Sequence, residues 1–149
     1  MKTNKVSGRC LCGAVSFQLS ELFQASAHCH CTYCQRAHGS AFVTWVVIPK
    51  TSFEYVSGEG SVSWYRSSEQ SKRGFCKHCG STMLFESALC PEEIHVTRAN
   101  LVGNFNMKPM FHCFFEQKVD WITVSDDVPH LTSDSPELAH YKIIPPPKA

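Results

Sequence analysis

Nine cysteines in 149 residues are grouped rather than scattered: Cys10 and Cys12, then Cys29, Cys31 and Cys34, then Cys76 and Cys79, with Cys90 and Cys113 isolated. Short-spaced thiols separated by long intervals are how metal sites are built, because one loop can present two sulfurs to one ion. An odd number also leaves a thiol over in any complete disulfide scheme. The opening residues, MKTNKVSGRC, hold no apolar block that reads as a signal peptide. A cytoplasmic location is therefore expected, where reducing conditions disfavour structural disulfides.

The rest of the composition sets limits. Hydrophobic residues make up 43% and charged residues 18%, a globular balance. A formal net charge of +1 supplies no basic field for nucleic acid or for an acidic membrane surface, so neither partner is expected. The longest apolar stretch, Ala41 to Ile48, is far short of the roughly 20 residues that span a bilayer. One domain over residues 1–149 is expected, with a Pro-rich tail at 144–149.

The chain reads as short strands. Val15, Phe17 and Leu19 alternate within Ala14–Ser20, and Phe42–Ile48 is a β-rich run stopped by Pro49, as in a central strand. Val62–Arg66, Thr82–Glu86, Glu93–Thr97, Phe111–Phe115 and Trp121–Val124 are further candidates, and Gln35–Ser40, with Gly39 as its stop, is a short helical turn. The predicted class is mostly β, with short antiparallel strands, little helix and the cysteines in connecting loops. Trp45, Trp64 and Trp121 are expected in the core. Arg36, Lys72 and Arg73 could pair with a carboxylate, but basic residues usually lie on solvated surface.

Two cysteine pairs share a signature. Cys10-Leu11-Cys12-Gly13 and Cys76-Lys77-His78-Cys79-Gly80 both place glycine directly after the second thiol. Glycine there allows a tight turn that aims backbone N–H groups at the sulfurs. Four such thiolates make a closed tetrahedral zinc site. Ordinary buried cysteines are the alternative. The middle cluster, His28-Cys29-His30-Cys31-Thr32-Tyr33-Cys34, offers three thiolates and no second pair, so one zinc position stays open to water or substrate. Alternatively His28, His30 or His38 closes the tetrahedron, or Cys29–Cys34 joins Cys76 and Cys79 and leaves Cys10 and Cys12 over. Cys90, Cys113, His95 and His112 read as packed residues rather than ligands.

The runs GRCLCGAVSF, CHCTYCQRAHGSAF, RGFCKHCGSTMLF and HCFFEQKVDWITVSDDVPHL, in that order, resemble the glutathione-dependent formaldehyde-activating enzyme family, whose domain is shared with centromere protein V. The resemblance runs from about Gly8 to His130. It implies a zinc-containing β-tent-like fold with two zinc ions per chain, the second site open to partial occupancy. Cys10, Cys12, Cys76 and Cys79 would hold a structural zinc, and Cys29, Cys31 and Cys34 a second, catalytic one. The implied activity is a carbon–sulfur lyase type, joining a small thiol, glutathione, with formaldehyde in the adduct S-hydroxymethylglutathione. His30 and His38 are candidates for moving the proton. Three thiolates on a divalent zinc leave one net negative charge, which favours a further thiolate only if positive charge lies nearby. A non-enzymatic zinc scaffold that binds a partner is the rival reading, and a metal-storage or thiol redox role is a third.

Overall fold

The structure is a computed structural model, and it describes residues 5–20, 24–103 and 105–141. The Pro-rich segment 144–149 lies outside them. Among the described residues eleven strands and one short α-helix follow one another, with single 3-10 turns between some of them: β1 (Val6–Arg9), β2 (Ser16–Leu19), β3 (Ala25–Cys29), α1 (Thr32–His38), β4 (Val43–Pro49), β5 (Phe53–Ser57), β6 (Val62–Arg66), β7 (Ser71–Cys76), β8 (Thr82–Ser87), β9 (Glu93–Thr97), β10 (Leu101–Val102) and β11 (Phe111–Cys113). They form a four-stranded sheet in the order β10-β1-β2-β5 and a seven-stranded sheet in the order β11-β3-β4-β9-β8-β7-β6. The mostly β expectation holds. Pairing is antiparallel except where β11 runs parallel to β3. No helix of the described residues is long and apolar enough to cross a membrane.

The alternation that begins just before β2 and runs through it buries Val15, Phe17 and Leu19 completely or nearly so. These side chains meet Val46 and Ile48 of β4, Leu84 of β8 and Val96 of β9, so the first core lies between the two sheets. β4 lies between β3 and β9, and both of its faces are covered. Val46 and Ile48 point into the first core, while Val43 and Trp45 join Phe85, Phe114 and Leu138 in a second. A strand buried on both faces reads as an unbroken apolar run, as Phe42–Ile48 does.

Three expectations need correction. Trp121 is 69% exposed, and Trp121–Val124 forms no strand. The Lys118 ammonium instead ties up the carbonyls of Val119 and Ile122 at 2.7 and 2.8 Å, which holds the segment as a turn. The helix begins at Thr32 rather than after Cys34, because the Cys31 sulfur caps it by accepting the Cys34 N–H at 3.4 Å. Arg73 is 4% exposed and not at the surface. The pleat of β7 turns Lys72 outward, onto Glu86 at 3.1 Å, and therefore turns Arg73 inward.

Candidate functional site

The sulfurs of Cys10, Cys12, Cys76 and Cys79 lie within 4.8 Å of one another. Cys10 and Cys12 are 3.6 Å apart and Cys12 and Cys76 are 3.9 Å apart. Zinc–sulfur bonds of about 2.3 Å in a tetrahedron put sulfurs roughly 3.8 Å apart, so the donor set and its spacing fit such an ion. The two glycines do what the sequence suggested, at φ 80° for Gly13 and 75° for Gly80. Each donates its N–H to the carbonyl of the first cysteine, at 3.2 Å to Cys10 and 2.7 Å to Cys76. The turn so closed brings the Val15 N–H to Cys10 Sγ at 3.3 Å. Hydrogen bonds from the Ser81 hydroxyl and N–H pull the Cys79 thiol down to about 5, a negative charge that suits a cation. Leu11 donates its N–H to Ser81 Oγ at 2.9 Å, which ties the two knuckles together across the chain.

The middle cluster is built differently. Cys29 ends β3, Cys31 caps α1 and Cys34 lies one turn into it, so strand-to-helix geometry brings the three sulfurs within 4.8 Å. All three are buried. Among the described residues no fourth Cys, His, Asp or Glu joins this set. His28 hydrogen-bonds Thr44, His30 hydrogen-bonds His112, and the His38 ring packs edge-on against Trp45. Two donors converge on Cys34 Sγ: the Trp45 indole N–H at 3.4 Å and the Arg73 guanidinium at 3.7 and 3.8 Å. Hydrogen bonds from Cys29 and Cys31 hold the Cys34 thiol well below its usual range, and Arg73's charge and Trp45 add to the effect. Arg73 also lies over the Phe85 ring at 5.1 Å, and among the described residues no carboxylate pairs with it. Its positive charge is therefore directed at the sulfurs.

A cavity of about 220 Å³ opens beside this cluster. Ala25, Ala27 and Cys29 of β3 and Trp45 and Val47 of β4 line one side, and Phe114, Leu131 and Leu138 of the segment after β11 cover the other. His95 of β9 stands in the wall, with Nε2 3.1 Å from Glu93 Oε2, and the Tyr141 hydroxyl donates to the same oxygen at 3.0 Å. The His95 hydrogen bond, helped by Tyr141, keeps the Glu93 carboxyl below the ordinary range. Burial pushes the thiols of Cys90 and Cys113 up to about 12, which disfavours their thiolate forms. His30 and His38 do not line the cavity, whereas His95 and Arg73 do. Sequence reasoning missed the place of those two because only strand parity aims them inward: Arg73 opens the run RGFCKHCGSTMLF but reads there as surface charge, and His95 reads as a packed strand residue.

Comparisons with known proteins agree with this architecture. The chain is 35% identical over 78 residues to a curated protein of Schizosaccharomyces pombe (strain 972 / ATCC 24843) named an uncharacterized lyase, a match covering 52% of this chain and 55% of that protein. The chain thus spans about half the length of the curated relative it matches. A crystal structure of a Rhodobacter sphaeroides protein, a structural genomics target, superposes with a TM-score of 0.57 at 28% identity, covering 67% of this chain and 91% of that one. Residues 5–117 match the model described as glutathione-dependent formaldehyde-activating enzyme, and with both thiol clusters inside that span the chain belongs to this family.

Proposed function

We propose that the chain is a zinc-dependent enzyme of the carbon–sulfur lyase type, acting on glutathione and a small aldehyde adduct such as S-hydroxymethylglutathione. In this reading Cys10, Cys12, Cys76 and Cys79 hold a structural zinc, and Cys29, Cys31 and Cys34 hold a second one. The observation that carries it is three buried thiols and the buried Arg73 guanidinium meeting at the wall of one cavity. Cys29, Cys31 and Cys34 would hold the ion, and a zinc bound there would have a fourth position for a thiol and would favour its thiolate form.

The chain's own residues supply the rest. Arg73 would offset the negative charge left by three thiolates and a divalent ion, so that an incoming thiolate would meet a neutral site. A unit charge pair about 4 Å apart at an effective dielectric of about 20 is worth on the order of 4 kcal/mol, which sets the scale. In the lyase direction the adduct's hydroxyl gives up its proton as the carbon–sulfur bond breaks. The sulfur leaves with the bonding pair, and formaldehyde is released. Glu93 accepts the His95 Nε2–H, which leaves Nδ1 free to take that proton. In the condensation direction the same group returns it to the oxygen.

Cobalt-substituted protein tests the reading. Glutathione should change the sulfur-to-cobalt absorption, whereas S-methylglutathione, with no ionisable thiol, should leave it as it was. Binding should strengthen as pH rises toward the thiol's free value of about 8.5. An unchanged spectrum at millimolar glutathione would mean that the fourth position is closed, and the scaffold reading would replace this one.

A further inference from the structure

The alternation His28-Cys29-His30-Cys31 has a structural consequence outside the thiol sites. β3 pairs in parallel with β11 so that Cys29 faces Cys113 and His28 faces His112. On a pleated pair, neighbouring positions point to opposite faces. Cys29 and Cys113 line the cavity, and His28 and His112 therefore stand side by side on the other face, with ring centroids 4.7 Å apart. Asp126, from the loop after β11, reaches the same place, with both carboxylate oxygens 3.0 Å from His112 Nε2.

We propose that His28, His112 and Asp126 form a metal-binding site for a divalent transition ion, held by two imidazole nitrogens and a carboxylate. One ligand atom from each lies within 4.8 Å of the other two. Each imidazole also has its far nitrogen occupied, which is how metal-binding histidines are oriented. His28 Nδ1 is 2.8 Å from Thr44 Oγ1, which leaves Nε2 for an ion. His112 Nδ1 is 2.8 Å from His30 Nε2, which leaves its Nε2 facing Asp126. Ligand atoms about 3.0 Å apart, as between His112 and Asp126, suit two bonds of about 2.0–2.2 Å to one ion. Two histidines and one carboxylate leave coordination positions open and suit zinc, cobalt or ferrous iron rather than calcium. His112 is 2% exposed and Asp126 is 44% exposed, so the site has a buried floor and an open mouth. It does not depend on the lyase reading.

The test takes full-length protein purified with zinc, freed of loosely held ion and titrated with cobalt(II). One further equivalent should bind and give a visible spectrum without sulfur-to-cobalt charge transfer. Asp126→Asn and His28→Gln should each weaken that equivalent by more than about 100-fold, and Thr44→Val by about 10-fold. Asp126→Asn changes an exposed side chain and keeps an oxygen that can accept from the Val128 N–H, so the variant should stay folded with a zinc content equal to the wild type's. No additional equivalent, one that carries thiolate charge transfer, or one that survives both ligand substitutions overturns the site.

Discussion

The two thiol clusters differ in reach and in electrostatic surroundings. One joins Cys10 and Cys12 of the first loop to Cys76 and Cys79 at the end of β7, with Cys12 exposed and Cys79 half-buried. Its negative charge is eased by backbone N–H groups and by Ser81. The other is confined to six residues, is buried throughout, and borders a cavity with an arginine against one sulfur. A cross-chain cluster with four donors is saturated and fastens the two sheets' loops together. A local cluster with three donors contributes less to chain closure, and on the proposed reading it would keep a position and a positive charge for an incoming thiol. Closure would suit a structural role and openness would suit chemistry, as proposed above.

The largest effect that could break this contrast is on folding. If the four-thiol set holds zinc, the ion contributes on the order of 10–16 kcal/mol, comparable with a domain's whole stability of about 5–15 kcal/mol. Cys76→Ser should give unfolded or insoluble protein. Soluble Cys76→Ser protein with a cooperative melt and unchanged zinc content would remove the structural assignment. Cys31→Ser makes the opposite case. If the proposed reading holds, it should stay folded, carry about one zinc fewer and lose formaldehyde turnover, as read by calorimetry, metal analysis and an activity assay. If it collapses as Cys76→Ser does, the contrast fails.

Arg73→Gln sharpens the electrostatic half of the comparison. With the charge gone, glutathione affinity for cobalt-loaded protein should fall by about 10- to 100-fold, roughly 1.4–2.8 kcal/mol, in an optical titration. An affinity unchanged by the substitution would show that the guanidinium does not offset the cluster's charge. The smallest effect concerns the cavity wall. Glu93 has a depressed folded pKa, so its bonds to His95 and Tyr141 contribute stability that is present above the unfolded carboxylate value of about 4.3. That contribution is lost as pH falls through the folded value. Glu93→Gln should therefore lower the unfolding free energy near pH 7 by about 1 kcal/mol, seen as a lower melting temperature, with the gap to wild type closing in acid. A gap that stays constant with pH would mean that the carboxylate charge is not what matters there.

Much of the fold was legible because strand parity and cysteine spacing are both local signals. Val62–Arg66 and Glu93–Thr97 match β6 and β9 residue for residue. The two cysteine-glycine knuckles show in sequence because one turn conformation admits little except glycine after the second thiol. β1, β3, β5, β7 and β10 are not among the strands that the sequence yields; Ala25–Cys29 and Ser71–Cys76 carry small or charged residues where a strand pattern calls for large apolar ones. Their pairing is fixed by partners on both sides, which no local window records.

The same division separates the chemistry that the chain determined by itself from what its folding decided. Sequence alone grouped the thiols, split them four and three, and marked the glycines that shape two of the turns. Only the tertiary structure put Arg73 against Cys34, thirty-nine positions away along the chain, and set His95 in the cavity wall. It also placed His28 beside His112 across a parallel pair. Ligand spacing within one loop is set by a few backbone angles and can be read in order along the chain. The charge and shape around a bound ion come from strands that meet only when the sheets close, and their inward or outward parity follows from that register.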